Sequence, residues 1–416
     1  MALPLALLLM ACLAASVVAY GAHPFWAQYP HGIAFILFTR RLQWPLLAVV
    51  VVFCLLLLAL IISGRRRAWW LIGLSPVLAL LLHRFALDPD HTFLVNSQPI
   101  FVGADQASFV ADDDWVVGLE NDGNTTAYPF AALYSSPLVV QADQFSPMLL
   151  MWSPFANRAL AVGIDRSIKA RELEIVSMPA NTLIVYNMRV GQFINGITGR
   201  TMNGQKPEGF TGVISTTKTT WKQWRALHPQ SRVLVPLETG ANGVAPNGPV
   251  LPYFPMPKAV ATEEQVNTVA LVCTTRPCAV LDRKIGLTPV NVSSPPDAIL
   301  LFRDSATGQV NAFDRQLQGD LFPLFRAHAS QRQPSAAMID TDSNSSWTTG
   351  GLALDGPLKG QRLHPLNVDD GVYLSVLRVW YPDLPILSPM ALPPPTAPVR
   401  EHAPTGRRRR LPAGNR

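Results

Sequence analysis

Two cysteines, Cys273 and Cys278, stand five positions apart, and a thiol pair at that spacing has three chemical uses. A redox couple is usually written Cys-x-x-Cys, and a metal site needs further ligands that the neighbouring sequence lacks. The remaining use is a disulfide across a tight hairpin, which an oxidising compartment would preserve. A second candidate is the dipeptide Asp165-Arg166, which closes an apolar run, with its counterpart Asp314-Arg315 closing another. A buried charge-assisted pair at a strand end is one reading of these residues, and capture of a ligand in a cleft is the other.

Other constellations fail at identifiable positions. Asp340, Asp342 and Asn344 have the first spacings of a calcium loop, but Ser345 stands where glycine is required and Gly351 where the bidentate Glu belongs. An Asx-type turn between strands is expected there. Gly199 and Gly204 are spaced like a phosphate loop, yet Gln205, Lys206 and Pro207 follow them. The histidines His91, His228, His328 and His364 are scattered, and Asp112, Asp113 and Asp114 read as a solvated turn. No Gly-x-Ser-x-Gly or His-Glu-x-x-His occurs. No catalytic residue, cofactor-binding residue or metal ligand is therefore assigned.

The elements that must position these residues are written twice. Val116 to Phe130 aligns without gaps on Val269 to Arg283, 153 positions later, and Asn187, Gly191 and Ile194 fall on Asp340, Asn344 and Trp347. Trp221 to Leu234 falls on Leu374 to Leu387 at the same offset. A repeat this long implies a lobe with its own core for each copy. Strands are predicted at Val116–Leu119, Ala127–Phe130, Leu149–Trp152, Leu160–Ile164, Ile299–Phe302 and Val310–Phe313, with a turn at Asp122, Gly123 and Asn124. One helix closes each copy. Thr219 or Thr220 caps the first, in which Trp221, Trp224 and Leu227 share a face, and Leu374, Leu377 and Trp380 repeat that face in the second. Counting from Glu120 and Thr125, Cys273 and Cys278 should oppose each other on the second hairpin.

A membrane block precedes the lobes. Leu46 to Ile62 is unbroken apolar, about what a hydrocarbon core of roughly 30 Å requires. Ala68 to Leu82 is a second candidate, with Trp69 and Trp70 at an interfacial belt, and Ala2 to Val18 a third that lacks the positive region of a signal peptide. About three spanning helices are expected, over 2–20, 46–63 and 68–86, within an anchor covering residues 1–90. The lobes then occupy 91–240 and 250–390, and 391–416 is a disordered Pro- and Arg-rich tail. Arg65, Arg66 and Arg67 in a tight turn favour the cytoplasm, which puts the large C-terminal region outside; Arg40 and Arg41 on the opposing loop argue the other way.

Net charge is +6, but the anchor carries six Arg against two Asp and the tail six Arg against one Glu, so the intervening 300 residues sum to −3. The lobes offer no electrostatic footprint for nucleic acid.

Both copies resemble the domain of unknown function 3179 family, from about Asn96 to about Leu387. The segment Ala111 to Phe130 is similar to its opening acidic turn, Val-Gly-Val-Glu strand and Ala-Tyr-Pro. Gly196 to Gly204 and Thr219 to Leu234 are similar to its Leu-Thr-Gly-Arg-Ala segment and its terminal Thr-Thr-Trp, His-Pro, Arg-Val-Leu signature. Asp340 to Trp347 and Gly351 to Leu366 resemble its Asp-Arg-x-Thr-Gly-Ser-x-Trp and Gly-Pro-Leu-x-Gly runs. The chain departs where the family carries Trp-His-Glu and Cys-Pro-x-Cys, holding Ser135, Ser136 and Pro137, then Ser153, Pro154, Phe155 and Ala156. Hydroxyls, prolines and a phenylalanine cannot do the work of imidazole and thiolate. The resemblance thus implies loss of any chemistry the family runs there.

The expectation is a membrane-anchored chain with N-terminal transmembrane helices, followed by a mainly β, duplicated two-lobe region outside the cytoplasm. It is expected to serve as a non-enzymatic binding or scaffold protein of the cell envelope, with lipid bilayer, an envelope protein or a small ligand as partners. An enzyme or metal-dependent redox protein with an unrecognised site is the alternative.

Overall fold

The computed structural model describes residues 2–63, 68–87, 93–121, 123–142, 147–237, 245–258, 260, 264–273, 276–305, 307–318, 321–328 and 336–392. The arginines at 65–67, His91, Asp122, the side chain of Cys273 and the tail from 393 onward lie outside them.

Helix α1 (Ala2–Tyr20) is apolar on every face, α2 (Gly32–Arg41) is short, and α3 (Gln43–Ile62) is again apolar all round. Two of these, α1 and α3, are long and apolar enough to cross a membrane, α1 lying near the N-terminus as a signal sequence also would. The third expected span is a composite: a 3-10 stretch (Ala68–Leu74), α4 (Ser75–Leu82) and a wide terminal turn (His83–Leu87). Pro76, in the first turn of α4, cannot donate a backbone hydrogen bond, which suits a helix start there rather than one continuous rod. Small side chains Ala11, Ala14 and Ala15 of α1 let Val50 of α3 and Val77 of α4 approach closely. Gly21 ends α1 where a Cβ would meet Val17 O at 2.5 Å and Thr39 at 2.7 Å. Helix α2 was not anticipated, and it belongs to a different layer: with the 3-10 turn Pro24–Gln28, it buries Ala27 and Ile36 against Val176, Ala180 and Ile184.

The β part begins with β1 (Val95–Asn96), β2 (Phe101–Gly103), β3 (Trp115–Asn121) and β4 (Asn124–Pro129). The hairpin β3–β4 pairs Asn121 with Asn124 around Gly123, whose φ of 79° glycine tolerates without strain. A second unanticipated helix, α5 (Phe130–Ser135), takes Phe130 out of the predicted strand. Then come β5 (Leu138–Gln141), β6 (Met148–Ser153), β7 (Arg158–Ile164), β8 (Leu173–Ser177), β9 (Ile184–Asn187) and β10 (Gln192–Asn195). The first half closes with β11 (Phe210–Ile214), β12 (Thr216–Thr220), α6 (Trp221–Leu227) and β13 (Arg232–Leu234).

The second half carries β14 (Thr268–Cys273), β15 (Cys278–Leu281), β16 (Val290–Ser294), β17 (Asp297–Arg303) and β18 (Val310–Asp314). It continues with β19 (Phe325–Ala327), β20 (Met338–Asp340), β21 (Ser346–Trp347) and β22 (His364–Pro365). It ends with β23 (Asn367–Tyr373), α7 (Leu374–Trp380) and β24 (Ile386–Leu387).

Sheet order makes the two halves correspond. The first half has β12-β3-β4-β13-β2, β1-β5-β6-β7-β11 and β10-β9-β8; the second has β23-β14-β15-β24, β16-β17-β18-β22 and β19-β20-β21. Strand for strand these are the same three sheets, less the edge strands β1 and β2. Packing volumes are exchanged in step as well. Gly118 lies under Trp224, whose ring a Cβ would strike at 2.1 Å, whereas the positions 153 further on, Leu271 and Leu377, share one core cluster. Residues Ala156 and Ile197 of the first half sit in that second-half cluster, so the core runs across the junction.

Of the predicted helix face, Trp221 and Trp224 are buried and Leu227 is exposed. Thr220 holds the N-cap position, but its hydroxyl and that of Thr219 bond Gln223 Oε1 at 3.1 and 2.6 Å rather than a backbone N–H.

Candidate functional site

Two strands that precede the closing helices, β12 and β23, lie against each other and form the seam between the halves. On one side β7 also meets β23, and a buried ion cluster fills that junction. The Asp369 carboxylate takes a cation on each oxygen, Arg158 Nη1 at 2.5 Å on Oδ2 and Lys218 Nζ at 2.6 Å on Oδ1, with at most 6 % of any of the three side chains exposed. Lys218 also donates to Asn157 O, and Arg158 Nε to Ile197 O at 3.4 Å. The next residue, Asp370, brings a third cation to the cluster, with Arg303 Nη1 at 3.3 Å.

A bulge aims these groups. Between Val269 and Leu271 of β14, strand β23 advances by one extra residue, and Gly371 takes a φ of 70°. Its N–H donates to Asp282 Oδ2 at 3.0 Å, and its carbonyl accepts from Asn157 Nδ2 at 2.9 Å. Asn157 itself sits in the left-handed region, φ 50°, which brings its side chain and carbonyl to the seam together. Burial pushes the Asp282 carboxyl up to about 6, and the neighbouring Asp370 charge adds to this while a Thr268 hydrogen bond, Lys218 and the Gly371 N–H oppose it. Burial likewise raises Asp370.

On the other side of the seam the corresponding strands, β18 and β12, do not close. A cavity of about 370 Å³ separates them, lined on the first-half side by Gly118, Glu120, Ser215, Thr216, Thr217 and Trp224. The second half supplies Gln309 to Phe313, Pro365, Leu366, Val368 and Asp370. Where β23 carries Asp369 opposite Leu271, β12 carries Thr217 opposite Gly118. Hydroxyls, two amides and two carboxylates therefore face the cavity, and no Lys or Arg is among its lining residues. At its edge His228 Nε2 lies 3.2 Å from Glu120 Oε1, with the imidazole tilted by 39° against Trp224 at 4.1 Å between ring centroids.

The residues singled out from sequence fall elsewhere. Asp165 is exposed and turns back on Ser167, accepting from its N–H at 2.8 Å and from its hydroxyl, which hold the carboxyl below its ordinary range. Asp314 accepts from Gln316 N at 2.9 Å. Arg315 is buried, donating to the carbonyls of Pro323 at 3.0 Å, Phe322 at 3.3 Å and Val292 at 3.4 Å. Asp165 and Arg166 border a separate cavity of about 470 Å³ with Ile168 and Lys169, and Asp314 and Arg315 line neither it nor the seam cavity, so the pairs do not converge. Asp340 is the hub of an Asx turn, accepting from Ser343 N at 2.6 Å, Ser345 N at 3.0 Å and Trp347 Nε1 at 3.1 Å.

The cysteine expectation needs a correction of register. Cys278 pairs with Val272, and Cys273 pairs outward with Asn367, because the second hairpin is one residue tighter than the first, where Glu120 opposes Thr125. The directly opposed cysteine pair is therefore not formed by the backbone. Among the described residues, no group of three or more His, Cys, Asp or Glu side chains is arranged to hold a metal.

At the positions where the resemblance led one to expect imidazole and thiols, the side chains are structural. Ser135 and Ser136 both donate to Ala132 O at 3.0 Å, and Ser153 Oγ accepts from Leu183 N at 3.1 Å. Phe155 packs against Tyr253 and Phe254 of the connecting segment. The family of proteins of unknown function DUF3179 matches residues 95–383. The chain belongs to that family. The match begins at β1 and ends after α7, so it takes in both sides of the seam and leaves the N-terminal helices out. No curated protein and no solved structure matches the chain.

Lys218, Arg158, Asp369 and Asp282 were not singled out from sequence. Lys218 and Asp369 had a signal as charges inside strand-forming runs, TTKTT before α6 and NVDDGVY before α7, whereas Arg158 and Asp282 lie outside those runs.

Proposed function

We propose that this chain is a membrane-anchored binding protein, without catalytic activity, that holds a small neutral polyhydroxylated ligand in the cavity between its halves. The observation that carries the reading is the asymmetry of the seam: one junction is locked by ions, and its counterpart is left open, lined by hydroxyls, two amides and two carboxylates with no cation among them. Ser215, Thr217, Gln309 and Asn311 can both donate and accept, which suits sugar-like hydroxyls, while Glu120 and Asp370 disfavour anions. The halves, 91–240 and 250–390, are read as duplicated lobes, supported by the matching sheet orders and the exchanged Gly118/Trp224 and Leu271/Leu377 volumes.

Thermal unfolding of the full chain in detergent, titrated with glucose, maltose, N-acetylglucosamine and glucuronate, tests it. A saturable rise with one of the neutral sugars, absent with glucuronate and lost in Thr217→Trp, is expected. No rise with any neutral sugar, or an equal rise with the acid, would sink it. The enzymatic alternative has one point of support: a carboxyl raised by burial, Asp370, faces a cavity, as a general acid would. Hydrolysis of an aryl glycoside that disappears in Asp370→Asn would replace binding by catalysis.

The lobes are read as lying outside the cytoplasm in an oxidising compartment. A membrane-impermeant thiol reagent on intact cells should then reach Cys273 and Cys278, only after reduction if they are bridged. Labelling that requires broken cells would reverse the topology.

A further inference from the structure

We infer that residues 23–44 form an interfacial collar, one face docked on the β8–β9–β10 sheet and the other resting in the headgroup region of a lipid bilayer. This rests on the reading of α1 and α3 as spanning helices. The docked face is built from specific contacts. Ala27 and Ile36 are buried with Val176, Ala180 and Ile184, and Arg40 pairs with Glu174, while Trp26 ties the segment to the end of α1 by donating from Nε1 to Tyr20 O at 2.7 Å.

The outward face is what a water-facing helix would not carry. Ala34, Phe35, Phe38 and Arg41 are the exposed residues of α2, spaced at i, i+1, i+4 and i+7 along one side. A helix that docks one face on a soluble lobe normally turns polar side chains to water on the other. Here two phenylalanines are exposed, and the single charge, Arg41, is at the end where it can reach the headgroups. Phe25, Tyr29 and Trp44 continue the apolar surface, Trp44 being 69 % exposed and Phe38 60 %. Phe25, Trp26, Tyr29 and Phe35 also pack edge-on or tilted against one another, so the belt is pre-organised.

Length fixes the depth of this surface. Trp44 lies in the first turn of α3, and from there to Ile62 the helix rises about 27 Å at ~1.5 Å per residue, close to a hydrocarbon thickness of roughly 30 Å. Beyond the segment that holds the arginines, Trp69 and Trp70 stack at 4.4 Å. Aromatic side chains thus bracket the span at both ends, as interfacial belts do, and the collar continues the one on the lobe side. Arg40 is then engaged by the lobe, which removes one of the two charges that argue against an external lobe.

Photo-crosslinking tests the inference on the full chain reconstituted into vesicles of phosphatidylcholine and phosphatidylglycerol. A benzoylphenylalanine is placed at position 38 or, as a reference inside the span, at position 55; Leu55 is 58 % exposed on α3. Lipid adducts detected by mass at both positions are expected. Adducts at 55 but none at 38 would overturn the collar and leave the anchor standing. A cross-link from 38 to a second copy of the chain, in place of lipid, would make the face a protein interface and overturn it too. Adducts at neither position would sink the membrane reading on which it rests.

Discussion

The two junctions of the seam are built from corresponding strands and have opposite contents. At β7/β23 a carboxylate with two cations is sealed away from water; at β12/β18 threonines and amides line an opening of about 370 Å³. A buried carboxylate holding two cations is only weak evidence of stability, because desolvation offsets most of the attraction, but it is intolerant of losing one member. Its effect is geometric: Arg158 and Lys218 belong to one half and Asp369 to the other, so the halves cannot rotate apart without stranding charge. The open junction gains no such restraint and needs none, since the closed one sets the spacing. A hinge locked on one side leaves a cavity of fixed width on the other, which is what a pre-formed ligand site requires.

The strongest way to break this comparison is Asp369→Asn. It leaves Arg158 and Lys218 buried with no full anion between them, and a loss of about 3–5 kcal/mol is expected in urea unfolding of the detergent-solubilised chain. A loss below about 1 kcal/mol would mean that the junction is hydrated and locks nothing.

The correspondence of the halves can be tested independently of charge. Gly118→Leu drives a side chain into the Trp224 ring, already 2.1 Å from an added Cβ, and should cost about 3 kcal/mol or more. Combining it with Trp224→Leu recreates the Leu271 and Leu377 pairing of the second half and should restore more than half of that loss. Because Trp224→Leu alone opens a cavity and frees the Ser231 hydroxyl that its indole N–H bonds at 2.9 Å, the double variant should be more stable than either single one. Additive losses would show that the two positions are not equivalents of the leucines.

Asp282 sharpens the comparison through pH. Its folded carboxyl titrates near 6, above the ordinary unfolded value of about 3.9. Between roughly pH 4 and 6 the unfolded chain has therefore released a proton that the folded chain keeps, so this group lowers stability as pH rises through the window and is fully unfavourable above it. Asp282→Asn should match the parent near pH 4 and exceed it by up to about 3 kcal/mol at pH 8, in unfolding curves compared pairwise. A difference that does not change with pH would mean that the carboxyl is not held from water.

What the sequence made legible follows from period and chemistry. Short unbroken apolar runs at Val116–Leu119 and Leu149–Trp152 located strands that are core on both faces, and the 153-residue offset located the counterpart of the first at Val269. Helix α2 escaped because large apolar side chains stand on both of its faces, Ile36 against the lobe and Phe35 and Phe38 exposed, so no amphipathic pattern announces it. The charged pairs at 165–166 and 314–315 were attractive because they recur, yet recurrence here marks a turn after β7 and β18 where side chains bond local backbone. The seam recurs in the opposite sense, as Asp against Thr at matching places. A search for shared residues passes over it, and only a comparison of what differs between the halves would have found it.

Thr217→Val is the gentlest variant and the most discriminating. The side chain is half-buried on the open junction and no hydrogen bond of its hydroxyl defines the fold, so unfolding should shift by no more than about 0.5 kcal/mol. The same change removes a donor and acceptor from the wall of the cavity, and a site built to bond hydroxyls loses affinity when one of its groups falls silent. Stabilisation by a neutral sugar should therefore weaken several-fold while the unliganded chain is unaltered. If instead the valine lowers stability as Asp369→Asn does, Thr217 belongs to the lock, both junctions are structural, and the cavity is a packing defect of the seam rather than its purpose.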